Sequence, residues 1–279
     1  MPIHDQSYRR YGGKKEPLGS AWKVIAWAGI RQMIRKRLFL ALLLLAWLPF
    51  IVRAVQIYIA ATYPQASLFG PTVSTFREFL EQQSVFVFFV TIYVGAGLIA
   101  NDRRANALQI YLSKPLMRVE YIAGKLAILA AFLLLVTFVP GILLLLLQVA
   151  FAGSFQFVRQ NVFLVPAITL ASLLQVLLAS FTMLALSSLS KSARYVAILY
   201  AGVLFFTKAM FGALALITGG TRIAWVSFSD NLTQVVDVIF RIRPRYEVPW
   251  VVSLLVIVAL MVVSASVLER RVRGVEVVT

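Results

Sequence analysis

The sequence has no cysteine and a single histidine, His4, near its start. Charged residues make up only 14% of the 279, and acids are the scarcest, eleven against 27 lysines and arginines. Without cysteine there is no disulfide scaffold, thiol nucleophile or Cys-based zinc or iron–sulfur site. One histidine leaves little room for imidazole metal binding or acid–base work. No His-Glu-x-x-His run occurs, and no P-loop: Gly124-Lys125 runs into Leu126, and Gly13-Lys14 into Lys15, where a hydroxyl residue would be needed. The chain is therefore expected to have no catalytic residues, to hold no metal and no cofactor, and not to be an enzyme. What is abundant is oil. Hydrophobic residues reach 61%, against about 45–50% in ordinary soluble domains. A chain of this size has too little interior to hide that much apolar surface from water. It reads as an integral membrane protein.

A spanning helix takes about 20 mostly apolar residues. Six segments qualify: 38–59, 84–100, 126–151, 165–186, 196–217 and 250–268. They are continuously apolar rather than alternating, which excludes a β-barrel. The third contains Pro140 and is expected to tilt or kink there. The predicted fold is all-α with six spans forming one domain over 20–268. A basic tail (1–19) precedes it and a short tail (269–279) follows. The first apolar run begins near residue 38 and is too long for a cleaved signal.

Lysine and arginine favour the cytoplasmic side of short loops. Nineteen lie before span one, in 101–125, in the loop after span four and at the C-terminus, against six in the opposite loops. Both termini are thus expected in the cytoplasm. Arg53 and Lys208 fall inside spans. All eleven acids are assigned to tails or loops, so no intramembrane pair of carboxylates is expected, which weighs against proton-coupled transport. The excess positive charge is an orientation signal rather than a nucleic-acid footprint.

Residues 20–37 place Trp22, Ala26, Ile30 and Met33 along one helical face together with Trp27 and Ile34, interrupted by Lys23, with Arg31, Gln32, Arg35 and Lys36 opposite. This predicts an amphipathic elbow helix in the headgroup layer. It either anchors span one or also touches a cytoplasmic partner.

The stretch between spans two and three is the most specific. Asn101-Asp102-Arg103-Arg104 is followed by Asn106, Ala107, Leu108, Gln109, Ile110, Tyr111, Leu112, Ser113 and Lys114, then Pro115, and by Tyr121-Ile-Ala-Gly-Lys125 opening span three. Pro115 ends a helix too short to stand alone in water, so its apolar residues need a surface to pack on. This run resembles the membrane subunit of ABC-2-type transporters, with Asp102 where glutamate is commoner, and the likeness extends over most of the chain. The resemblance implies that 106–114 is a coupling helix seated on a separate ATP-binding cassette subunit, flanked by the loop charges Asp102, Arg103, Arg104, Arg118 and Glu120. It implies a dimer with a second copy or a paralogue, ATP and Mg used by the partner ATPase, and export across a cell membrane, most often bacterial. The alternative for the short helix is packing against its own bundle.

Lys208 lies deep in span five and either snorkels to the outer headgroups or lines a pathway. The outer segment 218–249 carries Leu232, Val235, Val236, Ile239 and Phe240 at helical spacing, with Asp230, Asn231, Gln234 and Asp237 on other faces and Ser229 as a capping candidate. This predicts a helix dipping into the outer leaflet, and the resemblance implies an outer gate at Asp230, Asn231 and Asp237. A merely interfacial helix is the alternative. Segment 61–83, with Pro64, Pro71, Glu78 and Glu81, is expected to be a short surface excursion on the outer side without chemistry of its own. Two other classes stay open: an ATP-independent secondary transporter or channel, and a membrane assembly factor that transports nothing.

Overall fold

The computed structural model describes residues 19–63, 70–107, 117–152 and 156–272. Among these there are helices and no strands. Helix α1 (Ala21–Ile34) precedes six helical spans. Span one joins α2 (Arg37–Ala46) to α3 (Leu48–Thr62). Span two joins α4 (Val73–Val90), a π-helical turn (Thr91–Gly95) and α5 (Ala96–Arg104). Span three joins α6 (Arg118–Val136) to α7 (Phe138–Ala152). A short α8 (Gln156–Gln160) leads to span four, α9 (Leu164–Leu189), and span five, α10 (Ala193–Thr218). Helix α11 (Phe228–Ile239) lies between span five and span six, α12 (Trp250–Arg271).

Both breaks within spans have a proline behind them. Pro140 has no N–H to offer the carbonyl of Val136, and its ring crowds that carbonyl. The helix yields at Thr137, whose hydroxyl donates back to the Leu133 carbonyl at 2.8 Å. In span one Pro49 does the same to Leu45, and the break falls at Trp47. The nearby Ala46 carbonyl accepts from the Gln83 side chain, 3.1 Å away on α4.

Spans two, three and four form the centre. Leu129, Leu133, Val90, Val94, Met183 and Leu184 are fully or almost fully buried there. Small polar side chains stitch the helices, as expected where lipid is as oily as leucine. Ser187 on α9 accepts the N–H groups of Ile99 and Ala100 and donates to the Ala96 carbonyl. Gln175 donates to Ser84 at 3.1 Å. Spans one and five are peripheral: only 11% and 6% of their apolar windows are buried within the chain, against 56% for each of spans two, three and four.

Helix α1 docks on α6. Gly124 permits the contact, because a Cβ there would stand 2.8 Å from Ile25 and 3.1 Å from the Trp22 carbonyl oxygen. Ala26 is buried, while Trp27 and Ile34 remain exposed, so the apolar stripe read from the sequence is split between α6 and the outside.

The sequence reading needs three corrections. Residues 73–83 belong to the span-two helix rather than to a surface excursion, so Glu78 and Glu81 sit on that helix instead of in a loop. Asn101–Arg104 ends the same helix and Arg118–Lys125 opens α6, so the ends of the 101–125 loop are helical. The side chain capping α11 is Ser227, which accepts the Asp230 N–H, and not Ser229.

Candidate functional site

At the Lys/Arg-rich end, three of the five loop charges, Asp102, Arg103 and Glu120, are engaged in holding the bundle. Asp102 accepts the Tyr121 hydroxyl at 2.7 Å and pairs with Lys125 at 2.7 Å. Arg103 donates to the Ser188 carbonyl, tying α5 to the end of α9. Glu120 is buried and accepts the Met117 N–H at 3.0 Å, closing the start of α6. Asn106 takes a left-handed conformation (φ 51°) just past α5, a conformation asparagine tolerates at helix ends. Arg104 and Arg118 are exposed. Asn106 and Ala107 are the only members of the expected coupling helix that are described; Leu108, Gln109, Ile110, Tyr111, Leu112, Ser113 and Lys114 lie outside the described residues.

The opposite end carries the densest polar chemistry. Helix α11 turns its polar stripe inward: Asp230, Asn231, Gln234 and Asp237 are all buried, at spacings that keep them on one side of the helix. Each finds a partner from another segment or the helix start. Asp237 accepts from Arg77 Nε on α4 at 2.6 Å. Asp230 accepts from Lys208 Nζ at 2.5 Å and from the Tyr246 hydroxyl at 2.7 Å, both on the same oxygen. Gln234 donates to the carbonyls of Tyr246 and Val248. Asn231 donates to those of Trp225 and Ser227.

Around this stripe the charges continue. Arg77 also pairs with Glu81, one turn further along α4. Arg245 grips both oxygens of Glu81, each at 2.8 Å, the paired-donor geometry that makes arginine–carboxylate contacts strong. Arg53 of span one pairs with Glu78 at 3.1 Å. Four cations thus meet four carboxylates across α3, α4, α10, α11 and the 241–249 segment. Burial pushes the Asp237 carboxyl up from its ordinary value, against the pull of the Arg77 and Arg245 guanidiniums. Burial and the neighbouring Asp230 raise the Tyr246 hydroxyl above the usual tyrosine range, so it stays a donor at neutral pH.

Lys208 is neither buried nor simply snorkelled. Its side chain is 51% exposed, yet its ammonium reaches the buried Asp230. Beneath it lies a cavity of about 270 Å³ between α4, α9, α10 and α11, faced by Glu81, Gln175, Thr233 and Asp230. The second carboxylate oxygen of Asp230 is buried without a hydrogen-bond partner among the described residues.

Sequence reasoning named Lys208, Asp230, Asn231 and Asp237 but missed Arg77, Glu81, Arg245 and Tyr246. Arg77 and Glu81 have the four-residue spacing of a helical ion pair, which could have drawn notice. Nothing local marks Asp237 as the partner of Arg77, 160 positions away. Among the described residues no three histidine, aspartate or glutamate side chains gather as a metal site.

No protein-family model matches this sequence, and no curated protein is found similar to it. The fold itself defines the class. Six helices long and apolar enough to cross a membrane give the chain the character of a multi-pass membrane protein.

Proposed function

We propose that this chain is the transmembrane permease subunit of an ATP-driven exporter of the ABC-2 type. It pairs with a second copy or a paralogue to enclose the pathway, and 106–114 couples it to separate ATP-binding cassette subunits, which use ATP and Mg. The end rich in lysine and arginine faces the cytoplasm of a bacterial cell. The observation that carries this reading is the near absence of internal burial on spans one and five. Span five exposes Phe205, Phe206, Leu216 and the half-exposed Lys208 along one helix. Although its ammonium pairs with Asp230, Lys208 stays half-exposed about 15 Å from the helix end, and a polar side chain exposed to lipid at that depth is costly. A facing second subunit covers it.

The test is co-purification from native membranes. An ATP-binding cassette protein is expected with the wild-type chain, and its loss with the Leu108→Asp, Tyr111→Asp, Leu112→Asp variant. A wild-type complex without such an ATPase, or a triple variant that keeps both partner and transport, would sink the proposal.

One observation favours a second reading. Glu81 and Asp230, each already paired with a cation, face a common cavity, and carboxylates facing a cavity are groups that a secondary, ion-coupled carrier uses. That reading requires transport in ATP-free proteoliposomes under an ion gradient, and none under the exporter reading.

A further inference from the structure

The Lys/Arg-rich end holds another cavity, of about 390 Å³, remote from the outer network. It lies between the end of α1, the π-helical turn with α5, the start of span three and the start of span five. Its walls are of two kinds. Lys36, Lys125, Arg194 and Asp102 supply charge, whereas Ile92, Tyr93 and Val94 of the π-helical turn supply an apolar face that the head of span one meets at Phe39 and Lys36.

The charges do not balance. Asp102 is already engaged by the Tyr121 hydroxyl and by Lys125. Among the described residues no carboxylate pairs with Lys36 or Arg194, and both are exposed. The Lys36 ammonium instead lies 5.9 Å from the centre of the Tyr93 ring. Three cations and one carboxylate around one cavity leave two positive charges to be met by an anion. The wall beside them is apolar and formed by a π-helical turn, a distortion that collects at functional sites. Cations at the heads of spans one and five next to an apolar wall match a phosphate carried on acyl chains; a free phosphate would use the cations alone.

We propose that this cavity is a binding site for the headgroup of an anionic phospholipid from the adjacent leaflet. Lys36 and Arg194 contact its phosphate, and the first carbons of its chains lie against Ile92 and Tyr93. The site does not depend on the transport reading above, since it needs only the bilayer around the six spans.

Native mass spectrometry of the full chain tests this, with titrations of phosphatidylglycerol, phosphatidylcholine and inorganic phosphate in parallel. One phosphatidylglycerol is expected to bind at least tenfold more tightly than phosphatidylcholine. The Lys36→Gln, Arg194→Gln pair should weaken it roughly tenfold or more, as loss of two near-surface cations implies. The charge-keeping pair Lys36→Arg, Arg194→Lys should retain it. An Arg31→Gln, Arg35→Gln pair removes the same charge from α1 outside the cavity and should leave this lipid in place. Equal binding of the two lipids, an equal loss in the Arg31, Arg35 control, or displacement of the lipid by inorganic phosphate at the same concentration would each overturn the assignment.

Discussion

Arg77 sits in the second turn of α4 with its guanidinium buried between Asp237 and Glu81. Taking these charges out of water is costly, and their attraction offsets that cost only while the geometry holds. Removing Arg77 leaves Asp237 buried with only the more distant Arg245 guanidinium, 3.8 Å away, to meet its charge. Arg77→Ala is therefore expected to destabilise the chain by about 3–5 kcal/mol. The check is a thermal melt of the detergent-purified protein. The double variant Arg77→Met, Asp237→Leu should recover most of the loss, because it removes both charges together. A double variant as unstable as Arg77→Ala would show that the pair does not act as a unit. The same residue-scale logic explains Lys208. Its long stem lets the ammonium reach Asp230 from a half-exposed position, an outcome between the two the sequence allowed.

At the scale of elements, α11 shows why periodicity alone misplaced a face. Its apolar residues at helical spacing suggested a helix lying on oil with its polar residues turned elsewhere. In the fold no residue of α11 is exposed, and the polar stripe meets Arg77, Lys208 and the 245–248 backbone. A helix wheel gives the angular spread of side chains but not which neighbour each angle meets. Helix α1 offers the matching lesson for close packing. Gly124→Val should push α1 off α6, since the added atoms meet the Ile25 Cβ and the backbone of Trp22 rather than a yielding side-chain tip. The expected cost is about 1–3 kcal/mol, the usual range for overpacking. Tryptophan emission should shift to the red as Trp22 loses its seat. Gly29→Ala should be milder, because it adds a single methyl and its nearest neighbours are side-chain atoms of Ile128 rather than backbone. Equal effects from both would remove Gly124 as the limiting contact.

For the whole molecule, the spans divide into a packed centre and an unburied flank. A second subunit on span five has a direct test, because the chain contains no cysteine of its own. Leu216→Cys, at an 87% exposed position on span five, is expected to give a disulfide-linked dimer under mild oxidation. Val263→Cys on span six, also exposed, should not. Crosslinking at Val263 but not at Leu216 would place the partner on the other side. The two ends of the molecule also differ in kind: one holds a network of four cations and four carboxylates, while at the other Lys36 and Arg194 line a cavity without a carboxylate partner among the described residues.

The positions of the six spans, the break near Pro140 and the charge difference between the two ends were legible in the sequence, whereas the break that Pro49 makes in span one was not read there. Hydropathy, ring geometry and side-chain charge act locally, so they survive without knowledge of neighbours. The span ends moved where the apolar run and the helix do not coincide, most at the start of span two, which begins at Val73 rather than 84 because polar residues had disguised Val73–Gln83 as loop. The ion pairs of Arg77, Arg245 and Lys208 and the inward turn of α11 were decided only by the tertiary structure. A buried charge is tolerable only beside its opposite, and which residues become neighbours depends on how helices far apart in the chain pack.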